Sequence, residues 1–129
     1  MKKLFTLLAI LVSISVHAQF KVDTYKNYMG RWNKYTKEYD LDKEYRYANI
    51  SFVIYESYIE ANDEAKSIYR IKKNLPDDVT PKYKAVTIEC LDENNRECRF
   101  TVMRDNTTQQ VFVIIQYEIL AYFYVVKTE

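Results

Sequence analysis

The sequence predicts an all-β domain, an antiparallel up-and-down meander of about eight strands forming a small barrel or two-layer sandwich. Three observations carry that prediction. Thirteen tyrosines and six phenylalanines stand beside one glycine, Gly30, and two prolines, Pro76 and Pro81, a composition suited to pleated, half-buried surfaces. Several stretches alternate apolar and polar residues along the chain. Short polar clusters separate these stretches at hairpin spacing.

The first 18 residues read differently. Lys2 and Lys3 form a basic start, Leu4 to Val16 an apolar run, and Val16-His17-Ala18 a small-residue cleavage site, the order of a secretory signal peptide. A membrane span needs roughly 18 or more apolar residues, and this run is shorter. The expected product is residues 19–129, one exported β-domain in the periplasm or the medium, with no membrane span. His17 is the only histidine, so that product has none. Losing Lys2 and Lys3 takes the formal net charge from +1 to −1. An evenly mixed surface of this kind gives no electrostatic reason to expect nucleic acid as a partner.

FKVDTYKNYMG, residues 20–30, predicts a short N-terminal helix, with Asp23 as its cap, Val22, Tyr25 and Met29 on one face and Gly30 closing its end. From Arg31 onward the pattern is that of strands. In residues 50–73, a turn at Glu56-Ser57 sets Ile54 against Ile59 and Phe52 against Ala61. A second turn at Asp63-Glu64 sets Ile59 against Ile68 and Tyr58 against Tyr69. That register places Phe52, Ile54, Ile59 and Ile68 on one face and Val53, Tyr55, Tyr58 and Tyr69 on the other. A slip of one residue would exchange the faces of a whole strand. LPDDVTPK, residues 75–82, is a loop, because two prolines so close cannot both sit in a central strand. The near-continuous apolar runs within 109–117 and 119–127 predict strands covered in part on both faces.

Cys90 and Cys98 are the only cysteines. Val86, Ile88 and Cys90 alternate on one strand, and Cys98, Phe100 and Val102 on the next. A turn centred on Asn94 opposes Cys90 to Cys98, Ile88 to Phe100 and Val86 to Val102. Opposed Cα atoms in an antiparallel pair lie about 4.5–5.5 Å apart, within reach of a disulfide. In an oxidising compartment such a clasp persists, and it is favoured here over a reduced buried pair or a reactive thiol. A redox motif wants two intervening residues, where this pair has seven. A zinc site wants four ligands, usually thiolate and imidazole.

The remaining chemistry is sparse. Without histidine the hydrolytic triads lose their base. A single glycine cannot build a phosphate-cradling loop. Asp77-Asp78 and Asp92-Glu93 read as solvated turn residues. Asp40, Asp42 and Glu44 begin like a calcium loop, but Tyr45 stands where that loop needs glycine and Ser51 where it needs glutamate. No metal, no cofactor and no catalytic residue is predicted, and the chain reads as non-enzymatic. Tyr55, Tyr58 and Tyr69, with Tyr45 and Tyr47 just upstream, form the candidate binding face. A tyrosine ring offers an apolar body and a polar tip to protein, peptide or sugar, although tyrosines also coat half-exposed sheets for stability alone.

Gly30-Arg31-Trp32, opening the strand series, resembles the G-x-W motif of lipocalin and related calycin barrels. The run of sequential antiparallel strands agrees with it. The resemblance implies that Trp32 packs across the barrel floor and that the interior holds a small apolar ligand, lined here by residues such as Phe52, Ile54 and Phe112. The chain is also similar to small exported β-proteins of Gram-negative bacteria. The expected function is a binding module that contacts a protein, peptide or glycan through its aromatic face. A lipocalin-like carrier, or a protease inhibitor of the envelope, is the alternative.

Overall fold

A computed structural model describes residues 20–62 and 66–127. Ten strands follow one another: β1 (Phe20–Asn33), β2 (Glu38–Leu41), β3 (Arg46–Ile54), β4 (Tyr58–Asn62), β5 (Lys66–Asn74), β6 (Asp78–Val79), β7 (Tyr83–Leu91), β8 (Glu97–Asp105), β9 (Val111–Gln116) and β10 (Leu120–Val126). Every pairing is antiparallel. The path β1-β3-β4-β5-β7-β8-β9-β10 closes on itself through β10–β1 pairing, while β2 and β6 hang off β1 and β7. The protein is therefore a small all-β barrel of eight strands in chain order. Its shape is compatible with a calycin barrel. Residues 1–18, assigned above to a signal peptide, lie outside the described residues.

Burial of alternating side chains holds the barrel together. Phe52, Phe100, Ile54, Ile59, Ile115, Val22, Val102, Val111 and Val113 are each almost completely removed from solvent. Their rings and branches pack into one cluster with Cys90, Cys98, Val86 and Ile88. Phe52 meets Phe100 and Tyr124 edge to face, with centroids 5.5 and 5.0 Å apart. Eight strands enclose a space that side chains of this size can fill.

The β7–β8 hairpin takes the expected register: Val86 pairs with Val102, Ile88 with Phe100 and Cys90 with Cys98. The β3–β4 hairpin does too, with Phe52 on Ala61 and Ile54 on Ile59. The next strand departs by one residue. Tyr58 pairs with Arg70, Ile59 with Tyr69 and Glu60 with Ile68. Tyr69 thus turns inward against the core cluster, and Ile68 moves to the outer face with Glu60. On that outer face Ile68 lines a groove with Tyr58, Glu60, Arg70 and Leu91.

The N-terminal helix expected over 20–30 is replaced by β1, the longest strand. Its first half pairs with β3 and its second half with β2, while β10 runs along its other edge. A helix would have satisfied its own backbone groups; here two neighbouring edges satisfy them instead, and tertiary pairing overrides the local capping signals. An irregularity at Tyr25 shifts both registers between Thr24 and Lys26. Before it, Val22 and Thr24 point into the barrel, and the Thr24 hydroxyl donates to the Ile50 carbonyl at 2.7 Å. After it, the even-numbered residues Lys26, Tyr28, Gly30 and Trp32 belong to the outer face. A bulge of this kind re-aims side chains while keeping the ladder. In the proline-bounded stretch 75–82, two residues pair with β7 as β6.

Candidate functional site

Five of the seven large hydrophobic side chains exposed among the described residues fall between 32 and 47: Trp32, Tyr35, Leu41, Tyr45 and Tyr47. They are gathered by the outer face of β1 and its neighbours. Trp32 pairs with Tyr39 and Gly30 with Leu41 across β1–β2. On the other edge Gly30 pairs with Ala121 and Tyr28 with Phe123. The result is an aromatic ridge of two ring clusters that adjoin where Tyr28 pairs with Phe123. Trp32 meets Tyr39 edge to face at 5.1 Å, Tyr39 meets Phe123 at 5.9 Å, Tyr28 meets Tyr45 at 5.6 Å, and Tyr45 meets Tyr47 at 5.1 Å. The Tyr45 and Tyr47 hydroxyls share a hydrogen bond of 3.0 Å.

Gly30 makes the ridge compact. A Cβ at this position would come within 2.9 Å of Leu41 Cδ2, 3.1 Å of Phe123 Cε1 and 3.3 Å of Tyr39 Cβ. Its role is close approach of β2 and β10 side chains, not the end of a helix. Lys26 stands over the ridge with Nζ 4.5 Å from the Tyr45 centroid and 5.4 Å from that of Tyr25. Lys34 stands 5.4 Å over Tyr35 in the turn that follows β1.

The expected site residues are dispersed. Tyr55 and Tyr58 do share the outer face and stack with centroids 4.5 Å apart and planes 23° from parallel. Tyr58 lines an open groove of about 630 Å³ with Ile68, Arg70 and Leu91. Tyr69 does not join them, because the β4–β5 register turns it inward. Trp32 does not close the barrel floor; it is 41% exposed on the outside wall. Phe112, expected to line a ligand cavity, pairs with Met103 and Val125 on the outer wall, while Phe52 and Ile54 are packed solid in the core.

Cys90 and Cys98 are opposed in register and buried, and both are free thiols in this structure. Burial pushes the Cys90 thiol up to about 12, with the neighbouring Cys98 adding to the shift. Burial likewise pushes Cys98 up to about 11, with the Asp92 charge adding to the shift and the nearby Tyr117 hydroxyl and Arg96 charge opposing it. Neither is a ready thiolate at neutral pH. Above them, a groove of about 630 Å³ crosses the rim where the β7–β8 and β9–β10 hairpins turn, and Lys72, Arg96, Glu97 and Tyr117 border it.

Asp92 is more than a solvated turn residue. Its carboxylate accepts from the Asn94 and Arg96 backbone amides, each at 2.9 Å, and from the Tyr117 hydroxyl. Asp40 accepts from the Asn33 side chain at 3.0 Å and serves the β1–β2 turn. Among the described residues no three potential ligands gather as a metal site.

No family model matches the chain, and no curated protein or solved structure matches it either. Function must therefore be argued from the ridge itself. One sequence signal pointed there. Six of the 13 tyrosines, with the only tryptophan, fall within residues 25–47. That local density marks the surface, of which the candidate face drawn from strand parity included only Tyr45 and Tyr47.

Proposed function

We propose that the protein is a non-enzymatic binding module that contacts a protein, peptide or glycan through the aromatic ridge on the outer wall of β1, β2, β10 and the start of β3. The single observation that supports this reading is the adjoining pair of ring clusters, Trp32, Tyr39 and Phe123 beside Tyr28, Tyr45 and Tyr47, with Trp32, Tyr45 and Tyr47 open to solvent. Aromatic residues, tryptophan and tyrosine above all, are the common anchors of recognition surfaces. Their apolar exposure costs solubility, and a partner that covers them removes that cost. The side-chain-filled interior favours this reading over a lipocalin-like carrier.

We place the module outside the cytoplasm, exported by the leader read in residues 1–18, with Cys90 and Cys98 joined there as a disulfide. The opposed register of the two cysteines supports the bond.

A screen of immobilised glycans and peptides tests the function, with the protein compared against a Trp32→Ala, Tyr45→Ala, Tyr47→Ala triple variant whose fold is followed by circular dichroism. The reading expects a ligand that the folded triple variant no longer holds. Ligands held equally by both proteins, or lost only on replacing Tyr55 and Tyr58, count against the ridge. An apolar fluorophore displaced from inside the barrel by a lipid would favour the carrier instead.

A further inference from the structure

Strand β2 ends the sheet path. One edge of Glu38–Leu41 pairs with β1, and among the described residues no strand pairs with the other. The Asp42 amide donates to the Met29 carbonyl at 2.9 Å, which carries the ladder one residue past the strand. In an antiparallel ladder only alternate residues turn their backbone groups to a given neighbour. Asp42, Asp40 and Glu38 therefore bond toward β1, and the N–H and C=O groups of Tyr39 and Leu41 point out from the free edge. Unpaired groups of this kind are a template for another strand.

The side chains decide which strand fits. Tyr39 and Leu41 both approach the open side of Gly30, so they share the ridge face. Glu38, Asp40 and Asp42 alternate with them and fall on the opposite face. All three are exposed, as is Glu44 just beyond. Arg31, across from Asp40, is the one cation that the β1–β2 register sets among them. Among the described residues the ion pairs lie elsewhere, and none of these four acids has a lysine or arginine nitrogen within 4.0 Å.

Charges on an edge commonly guard it against pairing. These guard it against particular partners. A second copy of β2, added antiparallel so that Tyr39 bonds to Leu41, would set Asp40 against Asp40 and Glu38 against Asp42. Like charges directly opposed are destabilising, and any acidic strand meets the same repulsion. A strand with a cation at every second position meets complementary charge instead. Its intervening apolar residues then fall beside Tyr39 and Leu41, the latter 49% exposed.

We infer that the free edge of β2 binds an extended peptide segment of alternating basic and apolar residues as an added strand. Its cations face Glu38, Asp40 and Asp42, and its apolar side chains extend the ridge at Tyr39 and Leu41. This rests on the reading of the ridge as the binding surface and names the class of partner. Main-chain bonds supply the affinity of such a complex and alternate side chains its specificity.

Fluorescence anisotropy of a labelled seven-residue peptide alternating lysine and valine tests it, against alternating glutamate–valine and lysine–serine peptides. Binding of the lysine–valine peptide alone is expected, weakened tenfold or more in a Glu38→Gln, Asp40→Asn, Asp42→Asn protein. These side chains are exposed, and asparagine at position 40 can still accept from Asn33, so the variant should remain folded, which a thermal melt checks. Two further lysine–valine peptides carry N-methyl groups, one at its valines and one at its lysines. An added strand turns only alternate amides to β2, so one of the two should bind and the other fail. Equal binding of both would be charge attraction without strand pairing and would overturn the inference. Glutamate–valine bound as tightly as lysine–valine would overturn the basic class. Lysine–serine bound as tightly would remove the part played by the ridge face and overturn it too. Absence of binding by every peptide refutes the inference, and the broader reading then depends on the glycan and peptide screen with its Trp32, Tyr45 and Tyr47 variant.

Discussion

The Tyr117 hydroxyl donates to an Asp92 carboxylate oxygen at 2.9 Å, tying the β9–β10 turn to the β7–β8 turn. The guanidinium of Arg96 lies 5.0 Å from the same tyrosine ring. Burial by itself would raise the Asp92 pKa, yet the hydrogen bonds from Arg96, Tyr117 and Asn94 and the Arg96 charge outweigh it and leave it below the usual carboxylate range. Burial, and then the bond to Asp92, push the Tyr117 hydroxyl upward, so it stays a donor throughout the physiological range. This bridge closes one rim of the barrel.

Tyr117→Phe removes the donor and leaves Asp92 with its backbone partners. A loss of about 1.5 kcal/mol is expected from chemical denaturation, the low end of the range for a hydrogen bond to a charged group, because Asp92 keeps contact with solvent. The sign of the pH dependence follows from Asp92. A carboxyl depressed in the fold contributes stability that is fully present above its unfolded value near 3.9 and is lost as pH falls through the folded value. In Asp92→Asn, the fall in stability on acidification below about pH 4 should be shallower than in the parent. Parallel acid titrations by both proteins would contradict the assignment.

Gly30→Val forces a branched side chain into contacts already at the limit with Leu41 and Phe123. Overpacking of this kind costs about 1–3 kcal/mol. The melting temperature should fall, and the near-ultraviolet dichroism of the Trp32–Tyr39 pair should change with it. A neutral Gly30→Val would mean that β2 is free to move off β1.

The one-residue offset between β4 and β5 makes Tyr58 and Tyr69 unequal. Tyr69→Ala opens a void against the core cluster and should cost about 2 kcal/mol or more. Tyr58→Ala loses a surface stack with Tyr55 and should cost about 1 kcal/mol at most. Urea titrations of the two variants decide the register, and the reverse order would restore the Tyr58–Tyr69 pairing.

Cys90 and Cys98 close a nine-residue loop if oxidised, worth about 2.5 kcal/mol on the chain-entropy estimate. Protein recovered from an oxidising compartment should be two hydrogens lighter than its reduced form and take up no alkylating agent after denaturation. Buried thiols of such high pKa react slowly once folded, so oxidation belongs to the folding stage. Two alkylated cysteines in the unreduced, denatured sample would remove the clasp.

What could be read without coordinates was set by neighbours along the chain. The Cys90–Cys98 hairpin and the Phe52–Ile59 hairpin were legible because alternation and a short turn leave one register that buries every apolar residue. The same signal failed between Ile59 and Ile68. There the inner position could hold either Ile68 or Tyr69, and both satisfy an apolar pattern. The candidate ridge was only half legible: its tyrosine density is in the sequence, its contiguity is not.

The residue pattern alone determined that this chain makes sequential antiparallel strands with an aromatic surface, because side-chain period and turn chemistry are local properties. Only the tertiary structure decided that residues 20–30 become a strand and that Trp32 faces out. Those outcomes depend on which edges β3, β2 and β10 present to β1, and on one irregularity at Tyr25 that turns even-numbered residues from the core to the solvent. Backbone groups are satisfied by whichever partner the closed barrel supplies, and no stretch of β1 read by itself contains that partner.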